Sequence, residues 1–366
     1  MLFITTSTSA ANVESDIYNS LEDEINNFKD SLPDFVIDFF PDDFFDNEMS
    51  FDFSDALSEE GFWNYIFGYF FGNISSVIKS FSSILVLIIL SSILTSIGNS
   101  LKNQSINQIF SLCNTLCIGL AVFTICTNLA NFVTAYLKSM CRVVNSFLPL
   151  MSVLSIMCGN ITNAAVISTS MTLFIAIIES FLIVSLLPLV KICLAFICIK
   201  PIGNNDFSGI TKTIKATFTS VIIFTMSIFM FIFSLKNVIS QGSDSLSIKT
   251  AKFAISSFVP IVGASINDAL RTVTSSLSII KNSCGVIAII VIMIIIIPII
   301  INLLLNKLSF GLLSSISKLI GSNGEEAILD EANSICTFLL TLVVCACVLF
   351  IFGLTIFIQS TIGTGV

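Results

Sequence analysis

One acid stands deep inside an apolar run. It is Glu179, in the stretch ITNAAVISTSMTLFIAIIESFLIVSLLPL (161–189). A carboxylate in hydrocarbon is costly to keep, so such a residue points to an ion or proton relay, or to a lysine partner. The plainer alternative is a bundle-facing Glu that stays protonated or bonds a serine hydroxyl. Two further groups have types and spacing suited to a pathway. Gly159 and Asn160 follow Pro149, and Gly263, Asn267, Asp268 and Arg271 follow Pro260. A proline removes an amide donor and frees a carbonyl one turn back. At membrane depth such a break belongs inside a bundle or along a water-filled cavity, where these polar groups would line or gate a passage.

Chemistry of other kinds finds no support. The chain has no His, which removes His–nucleophile dyads, haem ligation and the commonest zinc ligand. Its 11 Cys are scattered through apolar runs with no ligand-like spacing, so they read as small packing residues rather than a metal site or a disulfide framework. No G-x-x-x-x-G-K-[ST], G-x-S-x-G or H-E-x-x-H occurs. We therefore expect no enzyme activity, no catalytic residue, no metal and no cofactor. Energy, if it enters, comes from another subunit or an ion gradient.

The elements that hold these residues are set by composition. The 366 residues are 55% hydrophobic and 11% charged, with mean hydropathy +0.98. A soluble domain carries roughly 25% charged residues, so this chain is polytopic and membrane-embedded. Charge is segregated. Residues 14–60 hold 16 acids against the single base Lys29, while residues 61–366 hold 8 acids and 15 bases. With two Arg and no basic stripe, neither part reads as nucleic-acid binding.

The predicted organisation is all-α. Residues 1–13 resemble the tail of a signal peptide, although a basic n-region is missing; the alternative is a short apolar terminus with no role. Residues 14–60 form an acidic, Phe-rich soluble segment, either a docking tail for a basic or apolar surface or a solvated leader that loosely covers the domain. Residues 61–80, GFWNYIFGYFFGNISSVIKS, suit an interfacial aromatic helix. Residues 81–366 form a transmembrane helix bundle. Its six expected spans are Phe81–Ile97, Ile109–Phe132, Ala164–Leu187, Ala216–Leu235, Cys284–Leu305 and Ile335–Ile358. Glu325, Glu326, Asp330 and Glu331 precede the last span and read as a solvated helix start.

Two segments between spans match each other. KSMCRVVNSFLPL (138–150) and KTAKFAISSFVPI (249–261) align without a gap, Pro149 on Pro260, 111 positions apart. Each is basic, then apolar, then broken by proline, and spans flank both. This implies an internal repeat, about 109–190 and 216–305, with two re-entrant or interfacial segments. If each segment returns to its own face, the units share one orientation; if each crosses, they are inverted. Lys191, Lys200, Lys212 and Lys215 lie in one connection and favour the cytoplasm, while Lys236, Lys249, Lys252, Arg271 and Lys281 would then lie outside, against that rule.

The second unit also carries a family likeness. ISSFVPIVGASINDALRTVTSSLSIIKNSCGVIAIIVIM (Ile255–Met293) resembles the stage III sporulation protein AE family of endospore formers. Its "VP-[VI]-VG…DA…T…S…KN-x-x-G" core is met here by Val259, Pro260, Ile261, Val262, Gly263, Asp268, Ala269, Thr272, Lys281, Asn282 and Gly285. The order of parts fits over most of residues 60–360. The resemblance implies a membrane subunit of the channel or feeding complex between mother cell and forespore, in the mother-cell-derived membrane. It implies support of forespore development and late forespore sigma-factor activity, with a secretion-type ATPase and ring-forming intermembrane proteins as partners. The competing reading is a stand-alone secondary transporter driven by an ion gradient, which the repeat and Glu179 would suit.

Overall fold

The computed structural model describes residues 21–38, 59–100, 104–158, 161–203, 208–258, 263–321 and 323–359. Among these there is no strand. Residues 21–31 form α1, followed by the single turn α2 (Asp34–Ile37). The long helices are α3 (Glu59–Ser100), α4 (Gln104–Met157), α5 (Ile161–Ile177), α6 (Val184–Gly203), α7 (Ser208–Phe258), α8 (Gly263–Ile320) and α9 (Asn323–Gln359). A π-helical turn, Ile178–Ile183, joins α5 to α6 without a break.

Backbone amides and carbonyls in hydrocarbon must pair within the helix, so long apolar runs become long helices. Embedded hydroxyls follow the same rule. Thr134 donates to the Ala130 carbonyl at 2.8 Å and Ser170 to the Val166 carbonyl at 2.7 Å. Bonding one turn back lets a polar residue sit in a span at little cost. Six stretches are long and apolar enough to cross a membrane: Trp63–Ile97, Ile109–Met157, Ala164–Phe196, Gly209–Lys236, Ile279–Ile320 and Gly324–Ile358. Each contains one of the six expected spans.

Helix directions follow from paired contacts. The Tyr65 hydroxyl donates to the Ile294 carbonyl at 3.1 Å, and Asn302 donates to Asn73 Oδ1 at 3.4 Å. Both pairs are 229 residues apart, so α3 and α8 run parallel. Ser314 meets Asp330 at 2.5 Å and Lys318 meets Glu326 at 2.8 Å, so α8 and α9 are antiparallel. Gly321 turns the chain between them with φ of 85°, a left-handed conformation that a side chain disfavours. Phe174 of α5 stacks on Phe229 of α7 at 4.3 Å, and Ser170 accepts from Lys236 at 3.4 Å, so α5 and α7 are antiparallel as well.

These directions give the bundle two ends. Ser91, Thr115, Lys215, Lys318 and Glu325 gather at one, the Glu325 end. The C-terminal ends of α4 and α7 and the N-terminal ends of α5 and α8 fall at the other. The helix pairs α4–α5 and α7–α8 therefore have the same orientation. One feature departs from the sequence reading. Helix α4 runs through Pro149 and continues to Met157. Pro149 is exposed on the helix surface, where loss of one amide is tolerated. The 111-residue register that overlays the prolines thus does not overlay the helix ends Met157 and Phe258. Pro260 lies outside the described residues.

The described part of the acidic segment is docked on its own chain. Phe28, Leu32 and Val36 are buried. The Phe28 ring lies 5.3 Å from Phe147, and Phe35 lies 5.8 Å from Tyr136 and 6.3 Å from Tyr69. Ser31 and Ser146 share a hydroxyl hydrogen bond of 2.5 Å. This end of the bundle is the leader end. Residues 61–80 are the first half of α3, continuous with its span, with Tyr65 and Tyr69 turned inward and Trp63, Phe67 and Phe71 outward.

Replacing Phe28 and Phe35 together with Ala should undock α1 and α2, since a buried Phe→Ala costs about 3–5 kcal/mol. Limited proteolysis should then cut within residues 21–38 several-fold faster while the thermal melting of the bundle changes little. Unchanged cleavage would show that the two rings do not hold the segment.

Candidate functional site

The Glu325 end concentrates charge in a buried setting. Glu325 and Glu331 are 3% and 7% exposed. They were expected to be solvated, and the structure corrects that expectation. They occupy the first turns of α9 on the side that faces the bundle. Glu331 accepts from Lys215 of α7 at 2.6 Å, and Lys215 also donates to Ser334 at 2.7 Å. Glu325 accepts from Ser91 of α3. Asp330, on the outer side, accepts from Ser314, and Glu326 pairs with Lys318. A helix N-terminus favours acids, which adds to their placement. No local signal in the sequence joins Lys215 to Glu331, because they are 116 residues apart.

Toward the middle of the bundle the polar lining thins to amides. Asn306 donates to the carbonyl and to the Oδ1 of Asn302, and Asn302 reaches Asn73. This seam ties α3 to α8 by interhelical hydrogen bonds, the usual polar glue of membrane helices.

The leader end holds a second buried cation. Lys281 of α8 is 0% exposed, and its ammonium lies 5.5 Å from the centre of the Phe357 ring. One turn on, Gly285 packs against Ile358, and a methyl group at Gly285 would collide with that side chain. Thus the Lys281 and Gly285 positions of the motif have a physical role: they seat the last turn of α9 on α8.

The candidate pathway residues are only partly brought together. Pro149 is on the surface of α4. Gly263, Asn267, Asp268 and Arg271 lie in the opening turns of α8, at the leader end. Gly159, Asn160 and Pro260 lie outside the described residues. Glu179 is the second residue of the π-helical turn and is exposed, facing outward at the middle of the third span rather than into the bundle. π-turns occur often at functional positions. The described cysteines are free thiols, and among the described residues no group of His, Cys, Asp and Glu is arranged to hold a metal ion.

Comparison with known proteins gives a consistent answer. A family model described as stage III sporulation protein AE matches residues 42–361. The stage III sporulation protein AE of Bacillus subtilis (strain 168) is 22% identical over 135 residues, which cover 37% of this chain and 34% of that protein. The chain thus matches about a third of that relative's length. No solved structure matches.

Substitutions test the buried ion pair and the α8–α9 contact. Glu331→Gln leaves Lys215 buried without its counter-charge and should cost roughly 3–5 kcal/mol. Lys215→Met with Glu331→Leu should recover most of that loss in a thermal melt in detergent. Gly285→Leu should overpack the α8–α9 contact by about 1–3 kcal/mol, and Ile358→Ala in the same chain should relieve part of it.

Proposed function

Because the chain belongs to the stage III sporulation protein AE family, we propose that it is a membrane subunit of the channel or feeding complex that links mother cell and forespore. The match over residues 42–361 carries this reading. Six membrane-competent helices fit a multi-pass subunit. With no nucleotide-binding motif in the sequence, a secretion-type ATPase is the partner that supplies energy. Ring-forming proteins of the intermembrane space are the further partners. The protein sits in the mother-cell-derived membrane, acts without enzymatic chemistry, and sustains forespore development and late forespore sigma-factor activity after engulfment.

We place the Glu325 end in the mother-cell cytoplasm, because the connection that carries Lys191, Lys200, Lys212 and Lys215 lies there; Lys236, Lys249, Lys252, Arg271 and Lys281 lie toward the opposite end and count against this orientation. The leader end then faces the intermembrane space. There the acidic segment and the outward rings of Trp63, Phe67 and Phe71 stand at headgroup level. The secondary-transporter alternative is weaker. It needs a carboxylate inside the bundle at mid-depth, and Glu179 is on the outer surface.

A host strain lacking the gene should complete engulfment and then lose late forespore gene expression, with heat-resistant spore counts falling by orders of magnitude. Normal spores would refute the reading. In the sporulating cell, a single Cys at position 40 should react only from the intermembrane side, and one at position 205 only from the cytoplasm.

A further inference from the structure

Helices α7 and α9 run parallel and in register. Lys215 meets Ser334 at 2.7 Å, the Phe218 ring lies 5.9 Å from that of Phe338, and Phe233 lies beside Gly353. At the Glu325 end a cleft of about 460 Å³ opens between the two helices. Lys212, Ala216 and Ser220 line its α7 side and are exposed, and Thr219 lies further in. Its α9 side carries the hydroxyls of Ser334, Thr337 and Thr341, with the buried Phe338 behind them. Lys215 also lines the cleft, but Glu331 balances its charge. Lys212 therefore leaves the mouth positive.

Charge fixes the depth of the cleft. Lys215 and Glu331 are the last charged residues before the uncharged runs 216–235 and 332–358, each long enough to cross the hydrocarbon. The lysines thus stand at headgroup level. Thr219, Ser220, Thr337 and Thr341 lie within about three turns below it, at the level of a lipid's glycerol and ester groups. Thr337 donates to the Asn333 carbonyl at 3.1 Å and Thr341 to the Thr337 carbonyl at 2.9 Å. Such back-bonding lets a hydroxyl sit in lipid at little cost, but it does not gather the hydroxyls of two helices round one cleft. Other outward surface at this depth is apolar. On α8, Leu308 and Leu312 lie just inward of the Ser314–Asp330 contact and are 63% and 58% exposed. Deeper in, the two sides of the cleft turn apolar as well. Ile223 of α7 and Val344 and Val348 of α9 continue them and are exposed.

We propose that this cleft binds an anionic glycerophospholipid of the leaflet at the Glu325 end. Lys212 meets the phosphate ester. The hydroxyls below it, which can turn to donate or accept, meet the glycerol and ester oxygens. One acyl chain runs down over Ile223, Val344 and Val348. Basic pockets between membrane helices take anionic headgroups by the same chemistry. A free phosphate ester would leave the apolar continuation unused, so the lipid is the better fit. Seated there, it ties α7 to α9 beside the Lys215–Glu331 pair. The site stands whether or not the chain belongs to a channel.

The test uses the full chain purified in detergent. Phosphatidylglycerol should raise its melting temperature by several degrees, because a ligand of the folded state stabilises it. Phosphatidylcholine with the same chains should do far less, and glycerol 1-phosphate should do nothing at equal concentration. Lys212→Gln should raise the phosphatidylglycerol concentration for half effect about fivefold. Lys318→Gln, at an exposed lysine of the same end, should leave it unchanged. Ala216→Trp should fill the cleft and abolish the shift. A phosphatidylglycerol with a photoreactive acyl chain should label residues 219–227 or 337–348. Equal stabilisation by phosphatidylcholine overturns the anionic headgroup, and equal stabilisation by glycerol 1-phosphate overturns the lipid in favour of a free phosphate ester. An unchanged response in both Lys212→Gln and Ala216→Trp, or labelling elsewhere, overturns the cleft as the site. A photo-crosslinking amino acid at Thr337 that joins two copies of the chain makes this face a protein interface and overturns the site too.

Discussion

Inside a bilayer there is no water to satisfy a polar group, so each one must find its partner within the protein. The bundle is organised around that constraint at the Glu325 end. The first turns of α9 carry four acids, and each holds a different contact. Glu331 holds Lys215 of α7, Glu325 holds Ser91 of α3, and Asp330 and Glu326 hold Ser314 and Lys318 of α8. One short acidic stretch thereby fixes the register of three neighbours. A slip of one turn would set Lys215 against Ile335 and leave two charges buried apart. A buried ion pair adds little net stability over a well-packed apolar pair, but separating it is costly. Its effect here is to make other registers unfavourable.

The same constraint explains what the opposite end can and cannot be. The described part of the acidic segment docks there, beside the last turns of α4. Helix α4 continues for 54 residues, about 80 Å, well beyond a crossing of roughly 20 residues. Its extra length receives Phe28 and Ser31 of the leader on Phe147 and Ser146. The buried Lys281, held against Phe357, marks the level at which α9 ends on α8. Gly285 lets that end approach closely.

Much of the chain's organisation was legible from residue order alone. Long apolar runs can only be helices in a membrane, and their number and approximate limits follow from hydropathy. The family likeness was legible through the spaced Pro, Gly, Asp, Lys and Asn of residues 259–285. The helix limits were less so. Pro149 reads as a break, yet α4 passes through it, because one missing amide on an exposed face is a small defect in a helix held by neighbours on most sides. The 111-residue match between segments is real in the sequence, but the helix ends Met157 and Phe258 do not follow that register.

What the sequence by itself determined is therefore the class of protein: helical and six times membrane-competent, with no His in 366 residues. What only the tertiary structure decided is which side of each helix meets what. Glu325 and Glu331 could be solvated or buried until α7 and α3 were set beside α9. Glu179 could face the bundle or face outward until α5 was set against α4 and α7. The spacing of Thr337 and Thr341 lies in plain view in the sequence, yet spacing does not tell a covered seam from an open one. The physical reason is that hydropathy is a sum along the chain, whereas exposure and pairing depend on residues a hundred or more positions away.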